Sequence, residues 1–159
     1  MSEIVTGAVG AAGTSLEQYR HVCIFYNSKD EEYKLLRSFI SAGFSKGDKA
    51  FHIIDERDRR DHFRRLEEFG IDVATAQAAG QLEVRSWEVA HLRPGYFDQY
   101  AMLALVEEAL TGSQQQEFSF TRWVANMGWA LLDVPGVSDL AEYCARLNAL
   151  TPKYAATIL

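Results

Sequence analysis

Alternation constrains this chain more than any other feature. "HVCIFY" (21–26), "KAFHIID" (49–55), "QLEVRSW" (81–87), "EFSFTRWV" (117–124) and "KYAATIL" (153–159) read as short apolar strands. Helical patterns at 30–42, 56–70, 97–112 and 137–150 stand between them, with Gly43, Gly70 and Gly112 placed as left-handed helix stops. Strands separated by helices of this length cannot be joined as hairpins. They need crossover connections, which give an α/β three-layer sandwich with a mostly parallel central sheet flanked by helices. A chain of 159 residues suits one domain. Residues 1–18, which open on the aperiodic, Gly- and Ala-rich "MSEIVTGAVGAAGTS", read as a flexible tail before a single domain at 19–159.

A parallel sheet binds ligands outside the carboxyl ends of its strands. That edge is expected to present Tyr26, Asn27 and Ser28; Asp55 and Glu56; Ser86 and Trp87; and the residues after Val124. The first junction, "YNSKDEE", has no glycine on which backbone N–H groups could converge around a phosphate. Ser28 and Glu31 instead have the spacing of a capping box, and Asp30, Glu31 and Glu32 place negative charge at the positive end of the helix dipole. The fourth strand ends in Ala125 and Asn126, where a nucleoside-triphosphatase would need an acid for magnesium. No nucleophile elbow or acid–base pair can be placed from spacing. The chain is therefore expected to be non-catalytic and to use no cofactor.

The formal net charge of −6 argues against a general nucleic-acid or anionic-membrane surface. The run "RDRRDHFRR" holds five arginines, but the acids inside and beside it balance them within one helix, as in a solvated, ion-paired face. Cys23 and Cys144 lie far apart in apolar patterns and read as small buried hydrophobes in a reducing compartment. His21, His52, His62 and His91 lack metal-ligand spacing, so no metal is expected, although His21, Cys23 and His52 could meet across neighbouring strands. Nothing reads as a membrane span or secretory leader, and the expected location is the cytoplasm.

Aromatics with a few polar groups are what a small-molecule pocket requires. Tyr26, Trp87, Trp123 and Trp129 fall at or near the carboxyl edge. Arg122 stands in an otherwise apolar strand and must find an acidic partner, a ligand or an exposed strand end. The expected ligand-binding residues are Tyr26, Asp55, Trp87, Arg122 and Trp129, with His21 beneath them.

The stretch "HVCIFYNSKDEEYKLLRSFISAGFSKGDKAFHIIDE" resembles the opening of the MEDS domain, the DcmR-like sensory domain of bacterial and archaeal regulators. "LEEFGID", "AAGQLEV", "PGYFD" and "RWVANMGWAL" follow in the family's order, so the likeness covers residues 19–159. The last segment resembles the family pattern Arg-x-x-x-Glu-Met-x-Trp and reads here Arg122, Asn126, Met127 and Trp129. With Asn126 in place of the Glu, Arg122 would need another partner, Asp55 or a ligand anion. The layout is also similar to RecA-like ATPases of the circadian-clock type without their phosphate loop. The resemblance implies a RecA-like fold and a sensory role in signal transduction or transcription regulation, with a small molecule such as a hydrocarbon derivative as ligand. The alternatives are a protein-interaction regulator of a kinase or sigma-factor pathway without its own ligand, and a residual nucleotide binder. Expected partners are a small molecule, a signalling protein or a second copy of the chain, and neither nucleic acid nor membrane.

Overall fold

A computed structural model describes residues 21–159; the tail expected at 1–18 lies outside them. The described strands are β1 (Lys49–Ile54), β2 (Leu82–Ser86), β3 (Thr121–Ala125) and β4 (Ala156–Ile158). The helices are α1 (Lys29–Lys46), α2 (Arg59–Glu68), α3 (Val73–Ala78), α4 (Gln99–Gln115) and α5 (Leu140–Leu150). All pairings are parallel, in the order β2-β1-β3-β4.

β1 lies inside the sheet and is buried along its whole length. Its side chains alternate between two apolar layers. Phe51 and Ile53 join Trp123, Met102, Val106 and Leu147 under α4 and α5. Ala50 joins Leu36, Phe39, Ile40, Leu66 and Ile71 under α1, α2 and α3. Phe51 and Trp123 stack with ring centroids 4.0 Å apart. This is the expected sandwich: a parallel sheet with helices on both faces. The chain passes from β1 to β2 on one side and then returns to β3 on the other, so the direction of winding reverses between β1 and β3. A crevice at the carboxyl ends is expected at that reversal.

Several boundaries differ from the sequence expectation. The strand expected at 21–26 is reduced to one rung. His21 bridges Ile158 in parallel, Val22 N–H donates to Ile158 O at 2.9 Å, and the chain then turns toward α1. β4 offers only three residues, which leaves little ladder for that segment to follow. β3 begins at Thr121 rather than 117 because α4 runs through Gly112 to Gln115 and Glu117 reverses the chain in the left-handed region (φ 65°).

α1 likewise continues past Gly43 and stops at Gly47, where φ is 77°. Gly43 has a packing reason instead. A Cβ there would overlap Cδ of Arg122, whose side chain crosses this turn of the helix. Gly43→Ala should therefore destabilise the domain by about 1–3 kcal/mol, the range for overpacking, although alanine is the better helix former. Urea unfolding of the variant measures it, and a more stable variant would show that Arg122 yields freely.

Candidate functional site at the carboxyl edge

The segment before α1, α1 itself and the turns after β1, β2 and β3 converge at the reversal of winding. Ser28 caps α1, its Oγ accepting from Glu31 N–H at 3.2 Å. Glu31 reaches back to accept from Asn27 N–H at 2.8 Å and from Asn27 Nδ2 at 3.2 Å. The Glu31 amide, one of those that could hold an anion at this helix start, is thus engaged by the chain's own Ser28 side chain.

Asn126 joins the pieces. Its N–H donates to Ile53 O at 2.9 Å, which ties it to the end of β1. Its Nδ2 donates to Tyr26 Oη at 2.9 Å and to Glu32 Oε1 at 3.0 Å. Its Oδ1 accepts from Gly128 N–H at 2.9 Å, and its carbonyl accepts from Trp87 Nε1 at 2.8 Å. Glycine at 128 keeps this close, because a Cβ would stand 3.1 Å from Asn126 Oδ1 and 3.3 Å from the Trp87 ring.

Glu32 is buried, and burial pushes its carboxyl up. Hydrogen bonds from Asn126 and Tyr26 pull it back, as does Lys29 nearby. Burial, then the Glu32 charge, raise the Tyr26 hydroxyl, so it stays a donor at neutral pH. An Asn126→Asp change would remove the shared amide and place a second carboxylate about 3 Å from the first. It should cost about 1–3 kcal/mol at pH 7. One carboxyl of such a pair is raised in the folded state, so the deficit should shrink toward pH 5, and urea unfolding at both values would reveal it. A deficit independent of pH would contradict the placement of Glu32.

The other expected residues divide. Trp87 and Tyr26 meet through Asn126, as described. Trp129 is fully buried behind them, its ring 5.2 Å from His91 and 4.9 Å from Phe97. Asp55 is buried beside the edge and occupied locally: its Oδ1 accepts Arg57 N–H at 2.9 Å, and the Arg57 guanidinium bonds the same carboxylate and holds its pKa down. His21 lies at the β4 flank with Nδ1 donating to Asn148 Oδ1 at 3.0 Å, and burial lowers its pKa.

Arg122 is at the opposite end of the sheet and does not join this cluster. It sits near the start of β3, and its Nε donates to buried Asp48 at 2.7 Å and its Nη1 to Phe39 O at 3.2 Å. The acidic partner is therefore Asp48, not Asp55 or a ligand anion. Sequence reasoning missed Glu32, having assigned it to the helix dipole, and left Asn126 out of the site. A signal for Glu32 existed: it stands four residues before Leu36 on the stripe that continues through Phe39, Ile40 and Gly43, all buried.

The family model of the MEDS domain (MEthanogen/methylotroph, DcmR Sensory domain) matches residues 20–159. The chain belongs to the MEDS family. Neither a curated protein nor a solved structure matches it. In this MEDS domain Asn126 is the junction itself, and the carboxylate in contact with it comes from α1 as Glu32.

On the α1–α2 face the MEDS domain also encloses a buried relay. Tyr33 Oη lies 2.5 Å from His62 Nδ1, and His62 Nε2 lies 3.0 Å from His52 Nδ1. The order Tyr33 to His62 to His52 satisfies all of these contacts with both imidazoles neutral. Burial drives His62 down to about 4 and His52 well below its usual range. His52 thus meets His62, not the His21 and Cys23 that a metal cluster would have needed.

Surface grooves lie elsewhere. One of about 550 Å³ runs between α4 and β2 past Lys49, Glu83 and Arg85. Another of about 360 Å³ runs between α1 and the α2–α3 region past Phe44 and Phe69. Among the described residues, no helix is long and apolar enough to cross a membrane.

Proposed function

We propose that this MEDS domain is a non-catalytic sensor that takes up a small, uncharged or cationic molecule at the carboxyl edge, in signal transduction or transcription regulation. The observation that carries the reading is the Asn126 junction. One side chain ties the Tyr26 segment to α1, and its backbone ties the ends of β1 and β3 to the turn holding Trp87. A ligand that displaced Tyr26 or Glu32 from Asn126 would loosen several elements at once, which is what a sensor must transmit. Buried Glu32 and the capped start of α1 disfavour an anionic ligand there. A hydrocarbon derivative with one polar group, the class the family resemblance suggests, suits an edge of aromatics with few polar atoms.

A thermal-shift screen with such compounds tests the reading, because binding to the folded state raises the melting temperature. Each hit's shift should disappear in Tyr26→Phe, which keeps the ring and removes the hydroxyl. Shifts unchanged in that variant would place the ligand elsewhere.

Exposed apolar side chains favour a second reading, the protein-interaction regulator. Leu131 is 91% exposed and Phe25 70%, with Leu132 and Val89 also exposed on turns beyond the strands. A partner that bound wild type and lost binding on Leu131→Asp, with no small molecule present, would favour it.

A further inference from the structure

The chain's cysteines, Cys23 and Cys144, are free thiols and both are half-buried. They lie 121 positions apart in the sequence, yet the fold brings their elements together, near enough for Cys23 to act on the Cys144 thiol. Val22 is buried and its N–H bonds Ile158 O, while His21 and Cys23 on either side of it are half-buried, so these two alternate with Val22 and share the other side. Cys144 and Asn148 are four apart on α5 and share one face of that helix. The His21–Asn148 hydrogen bond of 3.0 Å fixes the register between the two elements. His21 bridges Ile158 in parallel, so the segment runs with the strands. α5 leads from the carboxyl end of β3 back to the start of β4, so it runs against them. Moving from His21 to Cys23 advances about 6.6 Å along extended chain. Moving from Asn148 back to Cys144 retreats about 6 Å along the helix. The matching steps set Cys23 opposite Cys144. Burial pushes both thiols up, and the proximity of Cys23 raises Cys144 further.

We propose that Cys23 and Cys144 form a redox-responsive dithiol that closes into a disulfide and clamps the His21–Tyr26 segment onto α5. The co-reactant is a low-molecular-weight disulfide. One cysteine thiolate attacks a sulfur of that disulfide and expels a small thiolate, leaving a mixed disulfide on the protein. The second cysteine thiolate attacks the protein-bound sulfur and expels the other small thiolate. The two thiol protons of the protein end on the two released thiols, and the two electrons lost by the cysteine sulfurs reduce the small disulfide. The raised thiols make the reaction slow at neutral pH, so the pair answers to sustained oxidation rather than to a brief pulse. The clamp matters because the segment is held to the sheet by a single rung at His21 and carries Tyr26 into the carboxyl-edge cluster. Closing it restrains Tyr26 from the β4 side, independently of what the carboxyl edge binds.

Wild-type protein incubated with oxidised glutathione at pH 8 should lose a pair of hydrogens by intact mass and retain no glutathione. Peptide mapping should then show the Cys23 peptide joined to the Cys144 peptide. Cys23→Ser and Cys144→Ser should each keep a stable glutathione adduct instead. Amide hydrogen exchange over residues 22–27 should slow by roughly tenfold or more on closure in wild type and stay unchanged in the double serine variant. Persistent adducts on wild type, disulfide-linked dimers, or closure that leaves exchange at 22–27 unaltered would each overturn the proposal.

Discussion

Lowering the pH from 7 to 5 should markedly lower the stability of this MEDS domain. His52, His62 and His91 are each almost wholly buried. Desolvation lowers all of them, His62 to about 4 and His91 to about 3. In the unfolded chain each titrates near 6.5. Below that value the unfolded state binds protons that the folded state refuses, so stability falls as pH falls. It is fully present above pH 6.5, and the loss from His62 continues down to about 4. Each such histidine removes roughly 1.4 kcal/mol per pH unit in this window, so the three together remove about 4 kcal/mol per unit. From pH 6.5 to 5 that amounts to about 6 kcal/mol, a substantial part of a typical total of about 5–15 kcal/mol. Glu32, raised by burial, acts in the opposite sense and offsets part of the loss. Urea midpoints measured from pH 7.5 to 4.5 would show the slope, and His62→Phe should reduce it by about a third. A midpoint unchanged down to pH 5 would mean that the histidines are solvated.

Arg122→Ala should cost about 3–5 kcal/mol, because it leaves the buried Asp48 carboxylate without its ion partner. The guanidinium also lies over the Phe39 ring at 4.9 Å and bonds Phe39 O, so helix and sheet lose their polar tie at the same place. Pairing Arg122→Met with Asp48→Asn should recover much of the loss, since neither residue then carries charge. Gly43 supplies a second check. In the Arg122→Ala background the space over α1 is open, and Gly43→Ala should cost nothing or stabilise. That reversal of sign would measure the contact directly through a double-mutant cycle. A loss below 1 kcal/mol for Arg122→Ala would mean that Asp48 is reached by water.

Periodicity made the sandwich legible. The strands β1 and β3 are dense in β-branched and aromatic residues, β2 carries only Leu82 and Val84 as apolar positions, and the spacing of the three left no room for hairpins. What periodicity could not supply was the role of individual glycines. Gly43 and Gly47 both look like helix stops, and only the Arg122 side chain reaching across from β3 distinguishes a packing glycine from a terminating one. The capping box was legible because Ser28 and Glu31 act locally. Glu32 was not, since its partners lie at Tyr26 and, 94 positions away, at Asn126. Arg122 announced that it needed a partner, but which end of the strand it would occupy depended on a boundary four residues from where the pattern placed it. In each failure the deciding contact is distant in sequence.

The sheet order carries a kinetic consequence. β1 is an interior strand whose neighbours are β2, about thirty residues later, and β3, about seventy residues later. No local hairpin can nucleate such a sheet, and loop-closure entropy must be met before the central ladder exists. While a ribosome is still making the stretch before Thr121, β1 can dock on β2 and α1 but leaves its other edge unpaired and apolar. That interval is when this chain is most exposed to aggregation and most open to a chaperone.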